Sequence, residues 1–256
     1  MKTQALCLVL SLALCASRAY AIAETTPAEY GPLATNLYAQ AMNVVVAGVQ
    51  NGVTLADFPV LVKLSTAIPG FHYADFSRPN GGDLRFADAS GNLLPHEIDA
   101  WDESGVSTVW VKVPALTRGT AITAHFGYTG PGDPAPVAAK DVWDDDYVGV
   151  WHLGESALPL RESSETSSDF ASSYGDSIGY AAQGIVGGSV DFPTDGLYNA
   201  VVAPDHDALD GFSAFTLEVW THQNENKTNA GILAKRQEYN NQAAYYVYDT
   251  GSVIPI

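Results

Sequence analysis

Short runs in which apolar and polar residues alternate recur along most of the chain. In the first half such runs lie at residues 84–87, 94–98 and 109–113, and turn-forming residues at 88–92 separate the first two. No window shows sustained helical periodicity, and strands spaced this closely are typical of a β-sandwich. The pattern therefore predicts an all-β chain.

Changes in composition divide the chain into segments. Residues 22–42 have few large apolar side chains and are predicted to be a flexible lead, and residues 43–130 form a first sandwich. Proline and glycine concentrate in residues 131–142, which predicts a linker. Residues 143–256 carry a second set of strand-like runs, interrupted by a serine-rich stretch at 154–184 that is too long for an ordinary connection. We predict two consecutive antiparallel β-sandwiches, the second of them incomplete in this chain.

The first residues have the three-part pattern of a secretory signal peptide. A basic start at Met1 and Lys2 is followed by an apolar run at residues 5–16 and by small residues at Ala19 and Ala21. The leader, residues 1–21, would direct export to the periplasm, the cell surface or the medium and would then be removed. The apolar run is shorter than the roughly 20 residues that cross a bilayer, so we expect no transmembrane segment in the mature chain.

Both cysteines, Cys7 and Cys15, lie in this leader. The mature chain would then contain no disulfide, and its stability would depend on core burial and on any bound metal. Lipoprotein processing at Cys15 is an alternative, which Leu14 disfavours because a small residue is expected before an acylated cysteine.

The chain is strongly acidic, with 12 basic and 29 acidic side chains and a net charge of −17. Loss of Lys2 and Arg18 with the leader would change this to −19, since the leader holds no acidic residue. Such a surface repels nucleic acid and anionic lipid headgroups. It could attract divalent cations, although solubility alone explains the charge.

Four motifs follow one another in the first half of the chain. They are GGDLRF at residues 81–86, LPHEI at 94–98, VWVKVP at 109–114 and FGY at 126–128. In sequence and order they resemble a family of unknown function found in exported bacterial proteins. Some members of that family are fused to proton-channel proteins related to biopolymer transport, and others to lectin-like sandwiches. No catalytic residue is established for the family, so the resemblance implies none here.

The second half carries YVGVWHL at residues 147–153, GGSVDF at 187–192, FTLEVW at 215–220 and ILAK at 232–235. This order is similar to that of the laminin-G and concanavalin A-like lectin/glucanase group. The resemblance implies a partial jelly roll and binding of an extracellular glycan or surface protein. A serine-rich stretch replaces the turn that usually follows the VWHL strand in that group.

Acidic side chains offer the only cofactor site that the sequence suggests. Asp205, Asp207 and Asp210 are candidate calcium ligands, because calcium prefers six to eight oxygen ligands. Aspartates that cap a turn explain the same cluster. A second acidic run at residues 141–146 matches no EF-hand spacing and is predicted to be solvated.

Aromatic residues are the candidates for ligand binding. Trp101 and Tyr239 lie near turn-rich sequence, where their rings could stack on sugars. Trp110 and Trp220 lie within predicted strands and are flanked by apolar residues, so we expect both to be buried.

Glucanases share the sandwich architecture, so paired carboxylates would indicate a catalytic site. Glycosidases need two carboxyl groups across the scissile bond, but the predicted strand that holds Glu218 has no second acid. Glu97 and Asp99 share one face of a strand, an arrangement that is common on exposed strands. The sequence therefore predicts no catalytic residue, and the chain is not expected to be an enzyme.

These observations give one leading hypothesis and two alternatives. The leading one is an exported, non-catalytic binding protein that recognises extracellular glycan or a surface protein through a lectin-like sandwich. The first alternative is a structural or assembly module of a bacterial envelope complex related to biopolymer transport. The second is a polysaccharide hydrolase that uses Glu97 or Glu218.

Overall fold

The all-β prediction is confirmed. In the described part of the computed structural model the regular elements are β-strands and 3-10 helices of three or four residues, and every paired strand is antiparallel to its neighbour. The structure describes residues 6–7, 30–175, 177–193, 199–222, 230–237 and 242–249. The 3-10 helices are Thr35–Leu37, Tyr73–Asp75, Pro79–Gly81, Ala139–Val142 and Asp207–Leu209.

The chain divides into two compact units. The N-terminal unit comprises residues 17–147 and 163–165, and the C-terminal unit comprises residues 1–16, 148–162 and 166–256. The first described strand, β1 (Leu6–Cys7), belongs to the C-terminal unit, where it pairs with two strands that are given below. No helix in the described ranges is both long and apolar enough to span a bilayer.

The described strands of the N-terminal unit form two sheets. In chain order these strands are β2 (Tyr38–Val45), β3 (Leu55–Leu64), β4 (Arg85–Ala87), β5 (Leu93–Leu94), β6 (His96–Ala100), β7 (Ser107–Leu116) and β8 (Ala121–Tyr128). One sheet has the strand order β2-β8-β4-β5 and the other β3-β7-β6.

The larger apolar core of the unit lies between these sheets. Val109, Val111 and Val113 point inward from β7, and Ile122 and Phe126 point inward from β8. Successive side chains of a strand face opposite sides, so the intervening residues of β7 face outward. This alternation is the one that the sequence predicted for residues 109–113.

The sequence predicts a flexible lead over residues 22–42, and the structure differs from this prediction from Tyr30 onward. Leu33 donates its backbone N–H to Gly91 (2.9 Å) and packs with Leu93, whose N–H bonds to Gly31 (3.1 Å). Strand β2 then begins at Tyr38. Backbone hydrogen bonds, rather than a run of large apolar side chains, hold these residues in place. Composition alone therefore did not predict that this part of the lead is ordered.

The proline-rich segment predicted as a linker over residues 131–142 is also attached to the N-terminal unit. Arg78 donates to the carbonyl oxygen of Gly132 (2.8 Å), and Arg85 donates to that of Ala135 (2.6 Å). Val142 is fully buried. The boundary between the units therefore lies after residue 147 rather than before residue 143.

The described strands of the C-terminal unit other than β1 are β9 (Ser172–Tyr174), β10 (Gly179–Gln183), β11 (Gly188–Asp191), β12 (Ala200–Val202), β13 (Trp220–Thr221), β14 (Ala230–Gln237) and β15 (Gln242–Asp249). Together with β1 they form a four-stranded sheet of order β10-β11-β1-β13 and two strand pairs, β12–β9 and β14–β15. The core includes Val148, Trp151, Leu153, Leu160 and Val190.

A buried carboxylate organises the start of the serine-rich stretch. Glu162 accepts backbone N–H groups from Val150 (2.8 Å) and Thr166 (2.9 Å). Its own N–H bonds to the carboxylate of Asp169 (2.8 Å). These bonds fix the path of the residues before β9, and the later part of the stretch contains β9 and β10.

Candidate functional sites

The aspartate of the GGDLRF motif is a structural clasp. Asp83 is fully buried and accepts four hydrogen bonds: from the N–H and hydroxyl of Ser77 (3.1 and 2.9 Å), from the N–H of Arg78 (3.1 Å) and from that of Tyr128 (2.8 Å). Burial alone would raise the pKa of Asp83, but these hydrogen bonds outweigh it and hold the pKa below its ordinary value. The carboxylate thus ties the loop before β4 to the end of β8.

The arginine of the same motif binds backbone oxygens. Arg85 is buried, and its guanidinium donates to the carbonyls of Leu84 (2.5 Å), Gly82 (3.1 Å) and Ala135 (2.6 Å). Burial lowers the pKa of this guanidinium from its ordinary value. Both charged residues of the motif therefore hold the fold together.

Trp101, a predicted ligand-binding residue, is half-buried against the N-terminal core. Its ring meets those of Tyr73 and Phe76 edge-on, with centroids 5.3 and 5.0 Å away. It also covers Gly81, where a Cβ atom would lie 2.5 Å from the indole ring. The indole N–H donates to Glu103 (3.1 Å). One role of Trp101 is therefore to close the core beside the GGDLRF motif.

Glu97, one of the two acids considered for catalysis, has hydrogen bonds to both carboxylate oxygens. One oxygen accepts the indole N–H of Trp143 (2.7 Å) and the other the hydroxyl of Ser163 (2.7 Å). Asp99 accepts a hydrogen bond from Thr108 (3.1 Å). The geometry assigns Glu97 the positioning of Trp143, whose ring is buried.

Trp110 lies on the outer face of β7 and is half-buried rather than fully buried. Its ring centroid is 5.5 Å from that of Trp143, which in turn lies 5.3 Å from that of Tyr147. Trp110 also lines an apolar groove of about 520 Å³ at the edge of the N-terminal unit. Other residues of this groove include Val44, Val46, Val49, Phe58 and Val60.

A lysine occupies the centre of the predicted calcium site. The ammonium of Lys235 lies 3.0 Å from a carboxylate oxygen of Asp205, 2.9 Å from one of Asp210 and 2.9 Å from the carbonyl of His206. Burial would lower the pKa of Lys235, but the two carboxylates outweigh it and raise the pKa. The third candidate, Asp207, starts a 3-10 helix.

The ammonium of Lys235 supplies the positive charge beside Asp205 and Asp210 that a metal ion would otherwise supply. A calcium ion at these oxygens would have to displace the ammonium first. Among the described residues no group of three or more histidine, cysteine, aspartate or glutamate side chains is placed to hold a metal ion.

The prediction that Trp220 is buried is wrong. Leu217 and Val219 pack against the core of the C-terminal unit, whereas Glu218 and Trp220 are exposed. The exposed fraction of Trp220 is 54%. The alternation of leucine and valine was the signal that Trp220 faces outward, since residues two apart share a face. Tyr239, the other predicted ligand-binding residue, lies outside the described residues.

Comparison with known proteins gives one match. Residues 80–144 match the model of a domain of unknown function (DUF2341). The matched segment contains Asp83, Arg85, Glu97 and Trp143, and it supports the resemblance to a bacterial domain of unknown function. No curated protein and no solved structure matches the chain.

Proposed function

We propose that the protein is an exported, non-catalytic binding protein that recognises extracellular glycan through its C-terminal unit. The observation that carries this proposal is the outward face formed by Glu218 and Trp220. An indole ring offers a flat apolar surface on which the C–H face of a sugar can stack. A nearby carboxylate can accept hydrogen bonds from sugar hydroxyls.

The residues that alternate with this face are half-buried. Leu217 and Val219 alternate with Glu218 and Trp220 and pack against the core of the C-terminal unit. A ring whose neighbouring residues are held by packing loses less conformational entropy when a ligand binds. The order of motifs that resembles the laminin-G and concanavalin A-like group supports the same ligand class, and the leader supports export.

The test is affinity electrophoresis through gels that contain neutral and acidic polysaccharides. We expect at least one polysaccharide to retard the protein, and the Trp220→Ala variant to lose most of that retardation. Tyr174→Ala is the matched control, because Tyr174 is a 66% exposed aromatic residue on β9. Migration unaffected by every polysaccharide, or equal losses in both variants, would contradict the proposal.

A second candidate function is that of an assembly module in an envelope complex. The apolar groove in the N-terminal unit favours it, because the groove is bordered by Val45 and Phe58, which are 64% and 40% exposed. An apolar surface of this kind suits protein more than sugar. Cross-linking in envelope fractions, with Val45→Lys as the comparison, separates this function from glycan binding.

A further inference from the structure

Each sheet of the N-terminal unit has two edge strands among the described residues, and the two long ones are β2 in one sheet and β3 in the other. Strand β3 is poorly suited to accept another strand. Pro59 lacks an N–H, and Asp57 has a positive φ of 47° that interrupts the extended backbone. Prolines and local bends are common protections of sheet edges. Strand β2 has no proline and no charged residue over its eight residues.

The register of β2 shows which backbone groups lie at its open edge. Val46 donates its N–H to Thr120 on the β8 side (2.9 Å). Alternate residues of an antiparallel strand bond to the same neighbour. The backbone groups of Ala41, Asn43 and Val45 therefore point away from β8, and within the described residues no strand pairs with them.

The apolar groove begins where this open edge ends. Val45 belongs to both features, Val44 and Val46 flank it in the groove, and Phe58 and Trp110 extend the groove onto β3 and β7. Strand addition combines backbone hydrogen bonds along an edge with pockets for alternate side chains. Here the edge supplies the hydrogen-bonding groups, and the groove supplies an uncharged surface for side chains.

We propose that the β2 edge and this groove together form the docking surface for an extended, uncharged segment of a partner protein, which adds to β2 as a further strand. The net charge of −17 argues against a second copy as the occupant, because two such chains repel each other. It favours a partner whose apolar segment is flanked by basic residues. The inference deepens the second candidate function, which uses the same groove, and it shares no residue with the proposed glycan-binding face, so each can be tested without the other.

The probe is a fluorescent synthetic peptide of alternating valine and threonine with lysines at both ends. We expect it to bind the full chain in fluorescence anisotropy, and a peptide with proline at its central valines to bind at least ~10-fold more weakly, because proline cannot donate to an edge. Ala41→Pro removes an edge donor and Val45→Lys puts a charge beside the groove. Both variants should weaken binding by a similar factor.

Val106→Lys is the matched control, since Val106 is another exposed valine of the N-terminal unit. It should bind the peptide as the unsubstituted protein does. Equal binding of the two peptides, or unchanged binding by Val45→Lys, would overturn the proposal, and Val45→Lys also covers the case in which Ala41→Pro fails to fold. A dimer in light scattering that Ala41→Pro converts to monomer would overturn it too, because the occupant would then be a second copy.

Discussion

Replacement of Asp83 by asparagine tests whether the GGDLRF motif is a structural clasp. Asparagine keeps the shape of the side chain but turns one oxygen into an N–H₂ group. That group would face the N–H of Arg78 or the three donors from Ser77 and Tyr128. At least one buried donor would then lose its acceptor.

The loss of stability follows from the number of hydrogen bonds that Asp83 accepts. An unsatisfied buried donor costs about 1–3 kcal/mol. The remaining bonds would lose the assistance of the negative charge, at about 1 kcal/mol each. Asparagine is less costly to bury than a carboxylate, and this difference reduces the total destabilisation by about 2 kcal/mol. We therefore expect Asp83→Asn to destabilise the N-terminal unit by about 3 kcal/mol.

The assay is urea denaturation followed by hydrogen exchange of the peptide that contains Tyr128. A loss of this size lowers the urea midpoint by about 1–2 M. Asp102→Asn is the control, because Asp102 is exposed and also accepts two bonds from Ser104. A free energy of unfolding for Asp83→Asn within about 0.5 kcal/mol of that of the unsubstituted protein would refute the clasp.

The same variant should change the response to acid. The pKa of Asp83 is lower in the folded protein than in the unfolded chain, so its contribution is present above the unfolded value of about 3.9. The contribution is lost as the pH falls through the folded pKa. The unsubstituted protein should therefore lose stability more steeply below about pH 4 than Asp83→Asn does.

Three further substitutions test other contacts. Lys235→Met should lower the melting temperature of the C-terminal unit in calorimetry, because two aspartates lose their shared cation, while chelator should leave the unsubstituted protein unchanged. Glu97→Ala should shift the fluorescence of Trp143 to the red, and Glu97→Gln should shift it less because the amide oxygen still accepts the indole N–H. Gly81→Ala should destabilise the N-terminal unit by about 1–3 kcal/mol in urea, since φ is +69° and the new Cβ would meet Trp101. An unchanged melting temperature for Lys235→Met, an unchanged emission maximum for Glu97→Ala or an unchanged urea midpoint for Gly81→Ala would count against the contact that each substitution tests.

The strands were predictable where one face of a strand is buried and the other is not. The alternation at residues 109–113 fixed both the strand and its inward face. The prediction for Trp220 was wrong because its apolar neighbours mark the opposite face of the chain segment. The side that a residue faces follows from the two-residue period and not from its immediate neighbours.

Contacts between distant residues were beyond prediction. The aspartates at 205 and 210 matched a cation site in composition, but the cation is Lys235, which reaches them from β14. In the same way, Arg85 binds residues 131–142, the segment whose proline content predicted a linker. Both outcomes depend on the tertiary arrangement of residues that lie 25 to 50 positions apart.

The most direct test of glycan recognition is an NMR titration of the tryptophan side chains. The chain has five tryptophans, and the indole N–H signal of Trp220 is assigned by its loss in Trp220→Ala. On addition of the polysaccharide that retards the protein in gels, the Trp220 signal should move while that of the buried Trp143 stays in place. An unmoved Trp220 signal at saturating polysaccharide would contradict binding at this face.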